Sequence, residues 1–558
     1  MSPITTNSLV PMAKPPMARA NRIRPTWRGD RTGAGAAAPG AGVAGVMGTL
    51  LCFAASGAIA GSVGSSGSAS RYDRGAGPAG DPPASTASSP DGVTSSPPIM
   101  PLPRLLRIAL LSLLALTAAV PAAAAESVVA FVRVNVVPMD RERVLRNQTV
   151  LVVDGRIEAV GPRVAVPAGA QVIDGEGNAW LSPGLADMHT HSDSREDMAV
   201  YLANGVTTLL HMGEAPTAFA VKTRAAIDRG DVPGPKVYAA FMVDGSPRYG
   251  HLAVRGGAQA RATAELAQAN GFDFIKVYND LDAPTFDAFI QAADAGGLPV
   301  IGHGVAAVGL RRQIEAGQAL VAHAEEFFYS LFFAPGEDDG LAVPEARRID
   351  EAVALLKRHR TYATADLATY AAVAAQWGKR GATESYLAQP QARWLAPAER
   401  MEWRSRGDAY AKRSGTLAPR LAYLQRFVRA AGEADLPLMI GTDAPVVPGL
   451  FPGAAVHAQL AALEAAGVSR YRTLRATTRT PGEFIALYRP GGARFGQVLA
   501  GYRADLVLTS ANPLDDLGAL ERPLGVMTQG RWHPQAQLRE LSEKVAADYA
   551  EAARAGGG

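Results

Sequence analysis

The sequence predicts an α/β chain: a (β/α)8 TIM-type barrel with a small β-sandwich domain formed from both ends of the mature chain. Three observations predict it. Eight short strand-like runs alternate with Ala-rich amphipathic segments through the middle of the chain, as a barrel of eight strand–helix units requires. Strand-and-turn texture precedes that middle and returns after it. Most of the nine histidines close strand-like runs.

The N-terminal elements are of another kind. Residues 1–99 are rich in Ala, Gly, Ser and Pro, as in "GDRTGAGAAAPGAGVAG", and carry too little apolar surface to offset the entropy of ordering. "MPLPRLLRIALLSLLALTAAVPAAAAES" follows. Met100, Arg104 and Arg107, an apolar run from Ile108 to Val120 and small residues at Ala122–Ala125 give 100–125 the layout of a secretory signal peptide. Two readings stay open. Synthesis starts at Met100 and residues 1–99 are not translated, or they form a long export or anchoring extension, to which the apolar "VAGVMGTLLCFAASGAIAG" is suited. The start at Met100 predicts a periplasmic or secreted protein that meets a membrane only through its signal peptide. The single cysteine, Cys52, lies in this part, so the chain after Ala125 can form no disulfide, thiolate zinc site or cysteine nucleophile.

Residues 126–182 read as the first part of the sandwich: "VVAFVRVNVVPMD", "QTVLVVDGRIEAVG" and "AQVIDGEGNAWLSPG" alternate apolar residues, with turns at "DGR" and "DGEGN". The barrel is expected over 183–488. Its strands are "LADMHTH", "VTTLLHM", "KVYAAFM", "FDFIKVY", "LPVIGHG", "ALVAHAE", "TYATADLA" and "LPLMIGTDA", several of them plain apolar runs, as parallel strands covered on both faces should be. A helical insert at about 371–435 carries Trp377, Trp394 and Trp403. It is either an ordinary insertion on the barrel's side or a lid on the catalytic face, and exposed tryptophans there would equally suit a subunit contact in a homo-oligomer. Residues 489–536, with "GQVLAGYRADLVLTSANPLDD" and "PLGVMTQGRWHP", complete the sandwich, and 537–558 form a helical tail.

Composition narrows the function. Apolar content of 48% and charged content of 19% describe an ordinary globular protein. A net charge of +3, with no Lys/Arg-rich run interleaved with aromatics, argues against nucleic acid as a partner. After the signal peptide no run is long and apolar enough to span a bilayer.

The chemistry lies at the strand ends. In "WLSPGLADMHTHSD", His189 and His191 are two apart on a strand, so both imidazoles face one side and can reach one metal ion; a chance pair is the alternative for this stretch alone. The fourth strand ends with Lys276, the fifth with His303, the sixth with His323 and the eighth with Asp443. Barrel active sites lie at the C-terminal ends of the strands, so the six converge on one mouth. Imidazole and carboxylate suit zinc, and also iron, cobalt or manganese. Six ligands are enough for two divalent ions. Beside them a charged ammonium would be repelled, so Lys276 is expected neutral and able to take up carbon dioxide as a bridging carbamate, N6-carboxylysine; pairing with a carboxylate or gripping substrate is the other reading.

"PGLADMHTH", "NGVTTLL", "FIKVY", "GHG", "AHAEE", "GTDAP", "ATTRTPGEFIAL" and "GYRADLVLTSANPLDDL" together resemble the amidohydrolase superfamily, within it the exported imidazolonepropionase-like and Xaa-Pro dipeptidase-like branch, over roughly residues 127–535. The resemblance implies a barrel plus a sandwich built from both ends. It implies one metal on His189, His191, carboxylated Lys276 and Asp443 and a second on Lys276, His303 and His323, most commonly zinc. It further implies hydrolysis of an amide C–N bond of a small dipeptide or cyclic amide by a metal-bridging hydroxide, with Asp443 as general acid and base. A lactone or phosphoester hydrolase on the same metal pair, or a mononuclear imidazolonepropionase-like enzyme, is the alternative; a metal-free binding barrel is a further one. The chain departs from the pattern at Leu210 and His211, where relatives often carry Arg-Asp or Arg-Asn, and at "VHAQL" around His457, where "HEEL" is usual.

Tyr278 and His211 are the candidate substrate contacts, Tyr278 alternatively a wall residue and His211 alternatively a support for a ligand. His251 and His457 are candidate pocket residues, Glu325 and Glu326 candidate ligand-orienting groups, and His359 and His533 surface or packing positions.

Overall fold

Strands from both ends of the chain meet in one sheet. The computed structural model describes residues 127–248, 251–334 and 337–555; the signal-peptide segment 100–125 and residues 1–99 lie outside the described residues. The sheet runs β16-β15-β14-β5-β1-β2-β3, with β4 beside β1. β1 (Val128–Val136), β2 (Leu145–Val153), β3 (Arg156–Gly161), β4 (Gln171–Asp174) and β5 (Trp180–Pro183) come from the N-terminal part. β14 (Leu506–Thr509), β15 (Gly525–Thr528) and β16 (Arg531–Pro534) come from the C-terminal part. The join is β5 against β14, antiparallel, with Pro183 opposite Leu506 and Trp180 opposite Thr509. The period-2 residues Phe131, Val134, Val150, Val152, Leu506 and Met527 share one buried cluster. Between β2 and β3, Asp154 and Gly155 both have positive φ (46° and 76°), the requirement of a two-residue hairpin turn and the reason for "DG" there.

All eight expected barrel strands form, in parallel and in sequence order: β6 (Leu185–Thr190), β7 (Val206–His211), β8 (Lys236–Val243), β9 (Phe274–Val277), β10 (Val300–Gly302), β11 (Leu320–Val321), β12 (Tyr362–Thr364) and β13 (Leu438–Met439). β13 returns to β6 through Met188 N–H to the Ile440 carbonyl (3.0 Å), Asp443 N–H to the His189 carbonyl (2.7 Å) and a parallel bridge between Thr190 and Ala444. β6, β7 and β9 are buried at every position, which is why they read as apolar runs. One apolar cluster takes a residue from each strand, among them Met188, Leu210, Ala240, Phe274, Ile301, Leu320, Tyr362 and Met439, and fills the barrel. Lys276 and His303 lie two residues beyond Phe274 and Ile301, so alternation turns them to the same interior.

Between β12 and β13 run helices Leu367–Gln376, Ala382–Leu387, Pro397–Ala411 and Ala418–Glu433. The exposed tryptophans expected there are not exposed. Trp403 is wholly buried and Trp377 nearly so. Each indole N–H finds a carbonyl within this chain: Trp377 donates to Ser414 (2.8 Å), Trp394 to Ser542 (3.1 Å) and Trp403 to Pro445 (2.7 Å). A large ring with its one donor satisfied internally gains more by packing than by facing water. Among the described residues no helix is long and apolar enough to cross a membrane.

Candidate metal centre

The six predicted residues arrive from β6, β9, β10, β11 and β13, and they do meet. Nε2 of His189 and Nε2 of His191 each lie 3.3 Å from the same oxygen, Oδ1 of Asp443. Nζ of Lys276 lies 3.4 Å from Nε2 of His189. The ring centres of His189 and His323 are 4.1 Å apart and those of His303 and His323 5.0 Å. His189, Lys276, His303, His323 and Asp443 are all buried, and His191 is half-buried. Two sets hold their ligand atoms within 4.8 Å of one another: His189, His191 and Asp443, and His189, His323 and Asp366.

Asp366 was not foreseen. The pattern "TYATADLA" marks a strand but does not by itself single out its acid. It leaves β12 with φ +41°, and Oδ2 stands 2.7 Å from Nδ1 of His323 and 3.6 Å from Nδ1 of His189. The available signal is positional: an acid shortly after a strand, as Asp443 is in "IGTDA".

An oxygen stands beside Nδ1 of three of the histidines. Nδ1 of His303 is 2.8 Å from Oε1 of Glu326, whose other oxygen accepts from Gly304 N–H (2.8 Å). Nδ1 of His323 pairs with Asp366, which also accepts from the Thr364 hydroxyl (2.9 Å). Nδ1 of His191 meets the Gly213 carbonyl at 3.2 Å. Where Nδ1 faces an oxygen in this way, Nε2 is the nitrogen left to bind a metal, whereas Nδ1 of His189, 3.6 Å from Asp366, has no hydrogen-bond partner among the described residues. The expected orienting role thus has geometry behind it for Glu326. Glu325 is buried 3.9 Å from Nδ1 of His323, and burial pushes its carboxyl up to about 8.

Burial and neighbouring charges shift the groups of the site in different directions. Burial, then the His323 and Lys276 charges, hold the His189 ring well below the usual imidazole range, and burial with Lys276 does the same to His303. Burial would raise Asp443, but its contacts with His189 and His191 outweigh that and keep it well below the usual carboxylate range. Burial opposes charge on His323 too, yet Glu325 and Asp366 raise it to about 9. Two imidazole nitrogens aimed at one buried carboxylate oxygen repel it unless a proton or a cation stands between them. The residues therefore fit a divalent ion.

The other candidates fall into place around this core. Tyr278 is buried, its ring 4.3 Å from that of His303 and 4.6 Å from that of His251, so it walls the His303 side. His211 is buried with its ring centre 5.9 Å from that of His191, and its Nδ1 accepts from Gly213 N–H (3.3 Å). Nδ1 of His251 contacts Oε1 of Glu214 at 2.7 Å. His457 lies on a helix after β13 with Nε2 3.0 Å from the Asn204 carbonyl, a packing position. His359 is exposed in the last turn of a helix, and His533 is buried in β16 near Gln537.

No family model matches the chain. An imidazolonepropionase of Ralstonia nicotianae is 50% identical over 50 residues, which is 8% of this chain and 12% of that protein, so the chain matches only a short part of its curated relative's length. Solved structures agree over far more. A bottromycin amidohydrolase superposes with a TM-score of 0.59 at 23% identity, covering 76% of this chain and 91% of that one. A Xaa-Pro dipeptidase solved with methionine in its active site gives 0.53 at 19% identity, covering 73% of this chain and all of that one (100%). The fold of this chain is that of the amidohydrolases.

Proposed function

We propose that the protein is a metal-dependent hydrolase that cleaves an amide C–N bond in a small dipeptide or cyclic amide. One observation carries this: two imidazole nitrogens, each 3.3 Å from one buried Asp443 oxygen, at the C-terminal end of a parallel barrel. The fold shared with a bottromycin amidohydrolase and a Xaa-Pro dipeptidase supports the substrate class.

In this reading His189, His191 and Asp443 would hold one ion and His303 and His323 the other, with Lys276 serving both. Bound there, divalent ions, zinc being the expected metal, would lower the pKa of water and polarise the scissile carbonyl. The chain supplies the rest. The Lys276 amine is 1% exposed, and neutral it forms an N–C bond to carbon dioxide and loses a proton, giving a carbamate with two oxygens. Asp443, kept ionised by its two histidine neighbours, takes a proton from the attacking water and returns it to the leaving nitrogen. Glu326 and Asp366 fix the rings of His303 and His323 so that Nε2 faces the mouth. Tyr278 closes the wall beside His303 and excludes bulk water there.

The test is metal content per chain by plasma mass spectrometry, beside hydrolysis of panels of dipeptides, N-acyl amino acids, lactones and phosphoesters. Two metals with amide cleavage are expected. Cleavage confined to lactones or phosphoesters would overturn the amide reading, and a metal-free, inactive chain would overturn both. We also propose export to the periplasm through residues 100–125, checked by the N-terminal sequence of the native protein; a peptide from residues 1–99 in it would sink a start at Met100.

A further inference from the structure

We infer that the helical insert holds Asp443 in its working position, with Trp403 as the positioning residue. The inference rests on the reading of Asp443 as ligand and proton carrier, and it adds a role for a segment that supplies none of the proposed metal ligands.

Asp443 has φ +56°, a left-handed conformation that Asp adopts more readily than most side chains but that is still favoured by the contacts around it. On its N-terminal side β6 supplies the constraint, through Asp443 N–H to the His189 carbonyl (2.7 Å). On its C-terminal side Ala444 is tied to the end of β6 by the Thr190 bridge and by His191 N–H to its carbonyl (2.8 Å), but residues 445–451 beyond it contain no regular element. The insert holds them instead. Trp403 Nε1–H donates to the Pro445 carbonyl (2.7 Å), the Arg406 guanidinium to the Val446 carbonyl, and Gln376 Nε2–H to the Pro448 carbonyl (2.9 Å). The Trp403 ring packs on Phe451, centres 4.9 Å apart. A Cβ at Gly449 would stand 2.8 Å from the Tyr386 ring, so loop and insert are in close contact there too. Three carbonyls within four residues thus take donors from one insert.

The insert is anchored in turn. Trp394 donates to the Ser542 carbonyl (3.1 Å), and Arg393 pairs with Glu543 (2.8 Å), both on the C-terminal helix Gln535–Ala555. That helix packs on helix Arg195–Ala203, which follows His191, through Val200 and Val545. The two ends of the ligand set, the His189–His191 turn and the Asp443 loop, are therefore braced by the same layer.

Trp403→Phe in the full mature chain removes the N–H and keeps an aromatic ring. Trp377→Phe is the matched control, because its N–H goes to Ser414, away from the Asp443 loop. Metal-stripped protein is titrated with Co2+ and followed by absorbance, beside thermal unfolding and, on any amide that wild type cleaves, kcat and KM. Trp403→Phe is expected to weaken Co2+ binding about tenfold, as loss of ligand support does, and to lower kcat with KM little changed. Trp377→Phe should match wild type in both. If Trp403→Phe does not fold, Arg406→Met carries the same expectation. Wild-type affinity and kcat in every folded one of these two variants would overturn the inference, as would equal losses in Trp377→Phe. A wild type that binds no Co2+ would instead overturn the metal reading beneath it.

Discussion

Nζ of Lys276 stands 3.4 Å from Nε2 of His189, although the two residues come from strands that are not neighbours in the barrel. Their meeting follows from closure: β6 and β9 both end at the mouth, and both side chains turn inward. Burial keeps the His189 ring neutral, so its Nε2 can meet the lysine nitrogen without repulsion, and in the proposed function that lysine works as a neutral amine or as its carbamate.

Lys276→Ala is therefore expected to lower metal content from two ions per chain to one or fewer and to reduce kcat by orders of magnitude. Plasma mass spectrometry with steady-state kinetics checks this. One ion in both proteins with equal activity would leave the lysine outside the site.

Glu326 touches His303 at 2.8 Å and accepts from Gly304, so Glu326→Gln keeps the shape and removes the charge that orients the ring. Metal affinity or activity should fall roughly 10- to 100-fold. Isothermal titration with Zn2+ reads it, and an unchanged dissociation constant would assign Glu326 to packing.

Gly441 lies between β13 and Asp443, and a Cβ there would stand 2.4 Å from the His189 Cβ and 2.6 Å from Oδ1 of Asp366. Something must shift, and what shifts is the site. Gly441→Ala should destabilise the fold by about 1–3 kcal/mol, as overpacking does. It should also lower metal occupancy in the protein that folds, measured by thermal unfolding and metal analysis together.

His457 supplies a pH test away from the metal. Burial lowers its pKa from 6.5 to about 4 in the folded chain, its Nε2 meeting the Asn204 carbonyl. The unfolded chain therefore binds the proton more readily, and stability falls as pH drops from about 6.5 towards 4. At about 1.4 kcal/mol per pH unit the loss from this residue approaches roughly 3 kcal/mol. His457→Gln should flatten that part of the curve of melting temperature against pH. An identical slope in the variant would show that other groups cause it.

The eight strands and five of the strand-end groups around Asp443 were legible because each is a local pattern. A parallel strand buried on both faces shows as an apolar run, and "HTH", "GHG" and "GTDA" announce themselves at its end. Asp366 was not legible in that way. Its importance lies in a 2.7 Å contact with His323, and nothing in "TYATADLA" points to a partner 43 residues earlier. Glu326 could be suspected from its place after His323, but it serves His303 instead. The tryptophans of the insert were misjudged for a related reason: a polar helical segment looks exposed until its acceptors at Pro445, Ser414 and Ser542 are known.

By itself, then, the sequence determined the alternation of strands and helices, the sandwich drawn from both ends and the ligand types at the barrel mouth, since periodicity and strand-end chemistry depend on neighbours along the chain. The tertiary structure alone decided which groups share an atom. Closure of β13 on β6 brings His189 and His191 to one oxygen of Asp443 across more than 250 residues of sequence, and it seats Trp403 on the loop beyond. Those contacts depend on distance in space, which no local pattern encodes.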